Sequence, residues 1–207
     1  MQANAGGRNW TRVALWLVGV TILYNTAEAG IALWAGLAAH SIALVGFGLD
    51  SIIELAAASV LLWRLRVEAR GAEEEAVEAA ERKVHRFVGI TFFALAAYVV
   101  TMSVRTLAGG REPAESVVGI ILAAASLVAM PIIAWGKLRA ADGLGSTALR
   151  AEAKETLACS LLSFTLLIGL AANALFGWGW ADPVAALLMV PWLVKEGLEG
   201  VRGEEED

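Results

Sequence analysis

From residue 13 to residue 63 the chain is almost unbroken apolar sequence. Wound as one helix at about 1.5 Å per residue, that stretch would reach roughly 76 Å. A bilayer's hydrocarbon core is only about 30 Å thick, so the segment must fold back. The weakest point is 36–41, which holds a glycine, a histidine and a serine. This predicts a first helix at 13–38 and a second at 41–63. The polar stretch 64–86 follows. Its later part, 73–86, is rich in Ala and Glu, places Glu78 and Arg82 at i,i+4, and reads as a helical extension leading into a third apolar helix at 87–107. Gly109, Gly110 and Pro113 mark a turn, and a fourth helix is predicted at 117–135, with Pro131 as a kink. The segment 137–154 is polar, with Gly143 and Gly145 as breakers. The fifth helix opens before the next apolar run and ends near Phe176. After a turn at 177–180, Asp182 and Pro183 read as the N-cap and first residue of a sixth helix, apolar to Val194 and able to run to Val201 while Lys195 snorkels. The pattern predicts an all-α integral membrane protein of six transmembrane helices, one domain over 1–203, and an acidic tail at 204–207.

Composition agrees. Hydrophobic residues make up 58% of the 207-residue chain and charged residues 18%, against about a quarter charged in soluble domains. Six of the eight tryptophans, Trp10, Trp63, Trp135, Trp178, Trp180 and Trp192, fall near predicted helix ends, as interfacial belts do. Fourteen of the sixteen Lys and Arg residues lie in the N-terminus, the 2–3 and 4–5 segments or the C-terminal end, leaving only Arg105 and Arg111 on the other side. The positive-inside rule then puts both termini in the cytosol. The first apolar run is too long for a signal-peptide core and reads as a retained helix. No basic patch points to nucleic acid. The lone Cys159 excludes an intrachain disulfide.

Ionisable residues inside membrane helices are expensive, about 2.5–3.5 kcal/mol each on insertion scales, and so mark function. Asp50 and Glu54 lie near the middle of helix 2, four residues apart and hence stacked on one face. Like charges at that spacing repel, so the pair makes sense with a cation or protons between them. Glu155 and Cys159 repeat the spacing at the start of helix 5. Ser41-Ile-Ala-Leu44 also matches Ser146-Thr-Ala-Leu149 at an offset of 105 residues, and the same offset carries Asp50 onto Glu155, Ser51 onto Thr156 and Glu54 onto Cys159. The chain therefore reads as two three-helix repeats, an arrangement whose sites lie at the repeat interface near the midplane. Asp50, Glu54, Glu155 and Cys159 offer four O and S donors, a set suited to tetrahedral Zn²⁺, with Cd²⁺, Co²⁺ or Fe²⁺ as alternatives and Mg²⁺ or Ca²⁺ disfavoured by the thiolate. Four ionised groups without metal would be untenable in low dielectric. Metal binding would thus expel protons, a physical basis for metal/proton exchange. Asn25 and Glu28, three apart in helix 1, either bond to neighbouring helices or line the pathway. Glu152 reads as a solvated cytosolic or entry-path residue, His40 as a wet turn residue, and Met102, Met130 and Met189 as packing.

These residues resemble the cation diffusion facilitator family. Helix 2, SIALVGFGLDSIIE, is similar to that family's second-helix motif of two metal-binding aspartates four apart. Helix 5, ALRAEAKETLAC, is similar to its fifth-helix motif, a histidine followed four residues later by an aspartate, and WADPVAALLM is similar to the start of its sixth helix. Asp50 fits directly, whereas Glu54 stands for an aspartate, Glu155 for the histidine and Cys159 for the second aspartate. The resemblance implies the cation-efflux transmembrane fold, a homodimer formed through membrane helices, and proton-coupled export of a divalent, Zn²⁺-like ion from the cytosol. It leaves no room before the chain's end for the family's C-terminal cytosolic metal-binding domain. The alternative is a non-transporting accessory subunit or metal sensor on the same helices. No nucleophile–base pair or histidine cluster within the helices suggests an enzyme.

Overall fold

The computed structural model describes residues 3–68, 74–109 and 113–202. Six helices follow one another: α1 (Ala3–Ala39), α2 (Ile42–Glu68), α3 (Glu74–Leu107), α4 (Val117–Leu144), α5 (Thr147–Phe176) and α6 (Ala181–Arg202). The side chains of Glu78 and Arg82, the turn residue Gly110 and the acidic tail at 204–207 lie outside the described residues.

The bundle is polar within and apolar without. Leu23, Leu161, Leu188 and Leu175 are among its most exposed side chains, while Glu28, Asp50, Glu54, Lys137, Glu152 and Asp182 are buried. A soluble core has the reverse arrangement; in lipid it is the expected one. Among the described residues, α1 to α5 are each long and apolar enough to cross a membrane. In α6 only twelve residues separate Asp182 from Lys195, so charges crowd any span-length window. Asp182 is nonetheless wholly inside the protein.

α1, α2, α4 and α5 form an antiparallel four-helix core, and α3 and α6 pair beside it against α2 and α5. Small residues let the helices approach closely. A Cβ on Gly36 would meet the Val45 backbone at 2.8 Å, and one on Gly89 of α3 would meet the backbone of Val201 and Gly197 in α6 at 2.8 and 2.9 Å. Leu17 and Trp10 of α1 lie over Gly136 and Gly143 of α4.

The repeat expected from the 105-residue offset is visible in the helix starts. α2 begins after Ser41 and α5 after Ser146, and each hydroxyl accepts the N–H three residues on, from Leu44 at 3.0 Å and Leu149 at 3.3 Å. His40, before the first of these caps, is exposed with a φ of 54° and is the turn residue expected. Met130 and Met189 are buried core residues, and Met102 packs against that core.

Two expectations change. α4 does not stop at Trp135 but runs through Gly143 to Leu144, ending where Gly145 takes the left-handed conformation at φ 66°. Gly143 breaks nothing; it is small because the Trp10 ring lies where its Cβ would be. Trp135 stays exposed within the helix, with the Arg139 guanidinium 4.0 Å over its ring. Asp182 and Pro183 are also not the N-cap and first residue of α6. The helix starts at Ala181, and Asp182 instead caps a different helix. Its carboxylate accepts the Ser41 hydroxyl, the Ile42 N–H at 2.8 Å and the Ala43 N–H at 3.4 Å. Those are orphan donors of the α2 N-terminus, where a negative charge also meets the helix dipole. We expect Asp182→Ala to lower stability by about 2 kcal/mol. Thermal unfolding in detergent should show a lower midpoint than wild type, and an unchanged midpoint would count against this capping role.

Candidate metal centre

The site is built where α2 and α5 cross. α2 presents acceptors four residues apart, Asp50 and Glu54, and α5 presents donors three apart, Thr156 and Cys159, so an antiparallel crossing sets two levels of contact. At one level, the Cys159 thiol donates to Asp50 Oδ2 at 3.5 Å. One turn away, the Thr156 hydroxyl donates to Glu54 Oε1 at 3.0 Å. A small cavity opens beside this crossing. It is lined by Asp50, Ile53, Glu54 and Ala57 of α2, Val88 and Phe92 of α3, Glu155 and Cys159 of α5, and Trp192 of α6. All four residues singled out as ligands thus share one cavity. Asp50, Glu54 and Cys159 are buried, and Glu155 is half-buried. Glu54 Oε2 has no hydrogen-bond partner among the described residues, which leaves a buried carboxylate oxygen free to meet a cation. Among the described residues no three His, Cys, Asp or Glu side chains already stand close enough to grip an ion.

Trp192 is half-buried, meets Phe92 edge to face at 5.6 Å between centroids, and walls the cavity with it. Trp178 and Trp180 are exposed and stacked, with centroids 5.4 Å apart, as a belt pair would be.

Glu152 is not solvated. It is 5% exposed and holds Lys137 of α4, whose Nζ donates to Oε1 at 2.6 Å. Lys137 is fully buried and also donates to the Thr156 hydroxyl at 2.9 Å. Lys137 falls in the 137–154 segment expected to be a polar connection. Positions 137 and 152 stand eight residues before Gly145 and six after Ser146, and their side chains meet across the α4–α5 hairpin.

Asn25 and Glu28 do not line the cavity. Glu28 forms a separate polar cluster: it accepts the Ser51 hydroxyl at 2.9 Å and the Ser126 hydroxyl of α4, and Ser126 pairs with the Tyr24 hydroxyl at 2.8 Å. Of the two readings open for Glu28, interhelical bonding is the one observed. Asn25 is fully buried, and neither of its amide atoms has a partner among the described residues.

Comparison with known proteins fits this geometry. Residues 18–202 match the model of the cation efflux transmembrane domain. The chain belongs to the cation efflux family. It is also 30% identical over 164 residues to an uncharacterized transporter of Synechocystis sp., a match covering 78% of this chain and 53% of the relative. The chain thus spans about half the length of that curated relative. Within the family domain, the two helices that carry the carboxylates and the thiol are the two that cross at the cavity.

Proposed function

We propose that this cation efflux protein carries a divalent, Zn²⁺-like metal ion across the membrane through the cavity between α2 and α5. The observation that supports it most directly is that Asp50, Glu54, Glu155 and Cys159 line one buried cavity with an unpartnered carboxylate oxygen at Glu54. Two antiparallel helices each supply a pair of donors at i,i+4, so small side-chain rotations bring four donors toward a tetrahedral ion. The thiol tilts the set toward Zn²⁺ and Cd²⁺ over Mg²⁺ and Ca²⁺. The Lys and Arg asymmetry supports cytosolic termini, and alternating access of one three-helix repeat against the other would carry the ion out of the cytosol. A homodimer would be formed through the exposed apolar helix faces.

The test is uptake of a panel of divalent ions by purified protein in sealed vesicles. Zn²⁺ and Cd²⁺ should enter well above protein-free vesicles, and Mg²⁺ should not. Binding without flux would favour a sensor or accessory subunit.

Proton exchange follows from charge. Three carboxylates and a thiol cannot all stay ionised together in low dielectric without a cation. We expect a pH-sensitive dye trapped in the vesicles to report protons moving opposite to the metal. Robust flux with a silent dye and no response to a pH gradient would count against this.

A further inference from the structure

A lysine with no solvent exposure is rare, and rarer inside a membrane helix. Lys137 has 0% exposure and makes two contacts, an ion pair to Glu152 and a hydrogen bond to Thr156. The Glu152 pair accounts for its charge. It does not account for the second contact, which leads somewhere specific. Thr156 Oγ1 accepts from Lys137 and lies 3.0 Å from Glu54 Oε1 and 3.1 Å from the Glu152 carbonyl. A hydroxyl has a single proton to give. A carboxylate is the stronger acceptor, and donation from an ammonium to the hydroxyl oxygen polarises that proton further. Lys137, Thr156 and Glu54 therefore form a directed chain from α4 through α5 to α2.

We propose that Lys137 is a positioning residue of the metal site, holding Glu54 in place through Thr156. It rests on the reading of Asp50, Glu54, Glu155 and Cys159 as metal ligands. Its action is geometric, because its charge is already matched by Glu152. Thr156 fixes one oxygen of Glu54, and Oε2, which has no partner among the described residues, is left for the ion. Without the chain, Glu54 would sample several rotamers, and each binding event would have to order it again. Loss of outer hydrogen bonds to metal-ligating groups costs about 10–100-fold in affinity.

The chain makes a pattern that a mere structural brace would not. In full-length protein in detergent, titrated with Zn²⁺ and with Cd²⁺, Thr156→Val should bind each ion about tenfold more weakly. Thr156→Ser keeps the hydroxyl and should restore wild-type affinity. Lys137→Met combined with Glu152→Gln removes the ion pair without stranding a buried charge, and should weaken binding by a similar factor. Because all act through one hydroxyl, adding Thr156→Val to that double variant should cost no more. Losses that multiply, or a Thr156→Val protein at wild-type affinity, would overturn the proposal. If the Lys137 double variant does not fold, the Val and Ser comparison at Thr156 still decides. Wild-type protein that binds neither ion would overturn the site reading itself and this inference with it. Wild-type binding with an unaffected Thr156→Val variant would overturn this inference alone.

Discussion

Asp50→Ala protein, reconstituted at matched density, is expected to carry divalent metal at the background rate of empty vesicles. Asp50 is 3% exposed and lines the cavity, and among the described residues its side chain bonds to the Cys159 thiol alone, at 3.5 Å. It therefore supports little else. Losing a hydrogen-bond partner of a metal ligand already costs about 10–100-fold in affinity, so losing a ligand should cost more than about 100-fold at subsaturating metal. The fold should survive. Burying a carboxylate is unfavourable, and replacing one that braces no helix removes a cost rather than a support. Detergent-solubilised Asp50→Ala should elute as wild type does in size exclusion and unfold at a similar or higher temperature. Asp182 and Asp50 are both buried aspartates, but Asp182 satisfies the start of α2 and Asp50 satisfies no backbone group in the α2–α5 crossing. One substitution should cost stability and the other transport. Normal flux in well-folded Asp50→Ala would remove the four-donor site.

Much of this architecture was legible because membranes impose strict rules on sequence. Backbone groups in lipid must be paired within a helix, so apolar runs of sufficient length translate almost directly into elements. The start of α2 was expected at Ser41, which is its cap, while the start of α5 was placed only before its apolar run; the matched Ser41 and Ser146 turn out to be the two caps. The same offset paired Ser51 with Thr156, and both hydroxyls do tie their helix to a charged residue on the preceding one, Glu28 on α1 and Lys137 on α4. What escaped was long-range bonding by polar residues at helix ends. Asp182 carries the local signature of an N-cap, yet its carboxylate turns to Ile42, 140 positions away in sequence. Lys137 and Glu152 look like a solvated connection, since polarity alone does not distinguish a wet loop from a buried ion pair. Trp192 lies near the expected end of the sixth apolar run, but α6 runs on to Arg202 and the α3–α6 pairing sets the ring against Phe92.

Cys159 is expected to ligate the transported ion through its sulfur. It stands at the position that the 105-residue offset matches to Glu54, one turn from Glu155 on the same helix, and its thiol approaches Asp50 across the α2–α5 crossing. Its burial at 3% exposure makes a reagent that must reach the sulfur from solvent a poor probe, since slow labelling would mean nothing about metal. A spectroscopic probe avoids the difficulty. A metal-bound thiol is held as thiolate, and Cd²⁺–thiolate pairs absorb in the ultraviolet by charge transfer from sulfur to metal. Cys159 is the only cysteine in the chain, so any such band comes from this residue. Adding Cd²⁺ to purified wild-type protein should raise the band and saturate it at one ion per site. Cys159→Ser should lack it entirely. Asp50→Ala should require much more Cd²⁺ to reach it, because one missing ligand weakens the whole set. Affinity should follow softness: Cys159→Ser should weaken Cd²⁺ binding more than Co²⁺ binding, since an alcohol oxygen replaces a sulfur that the softer ion prefers. Saturable Cd²⁺ binding with no charge-transfer band would take Cys159 out of the coordination sphere. Carboxylates and water would then hold the ion, and the preference for Zn²⁺-like metals over harder ones would lose its chemical basis.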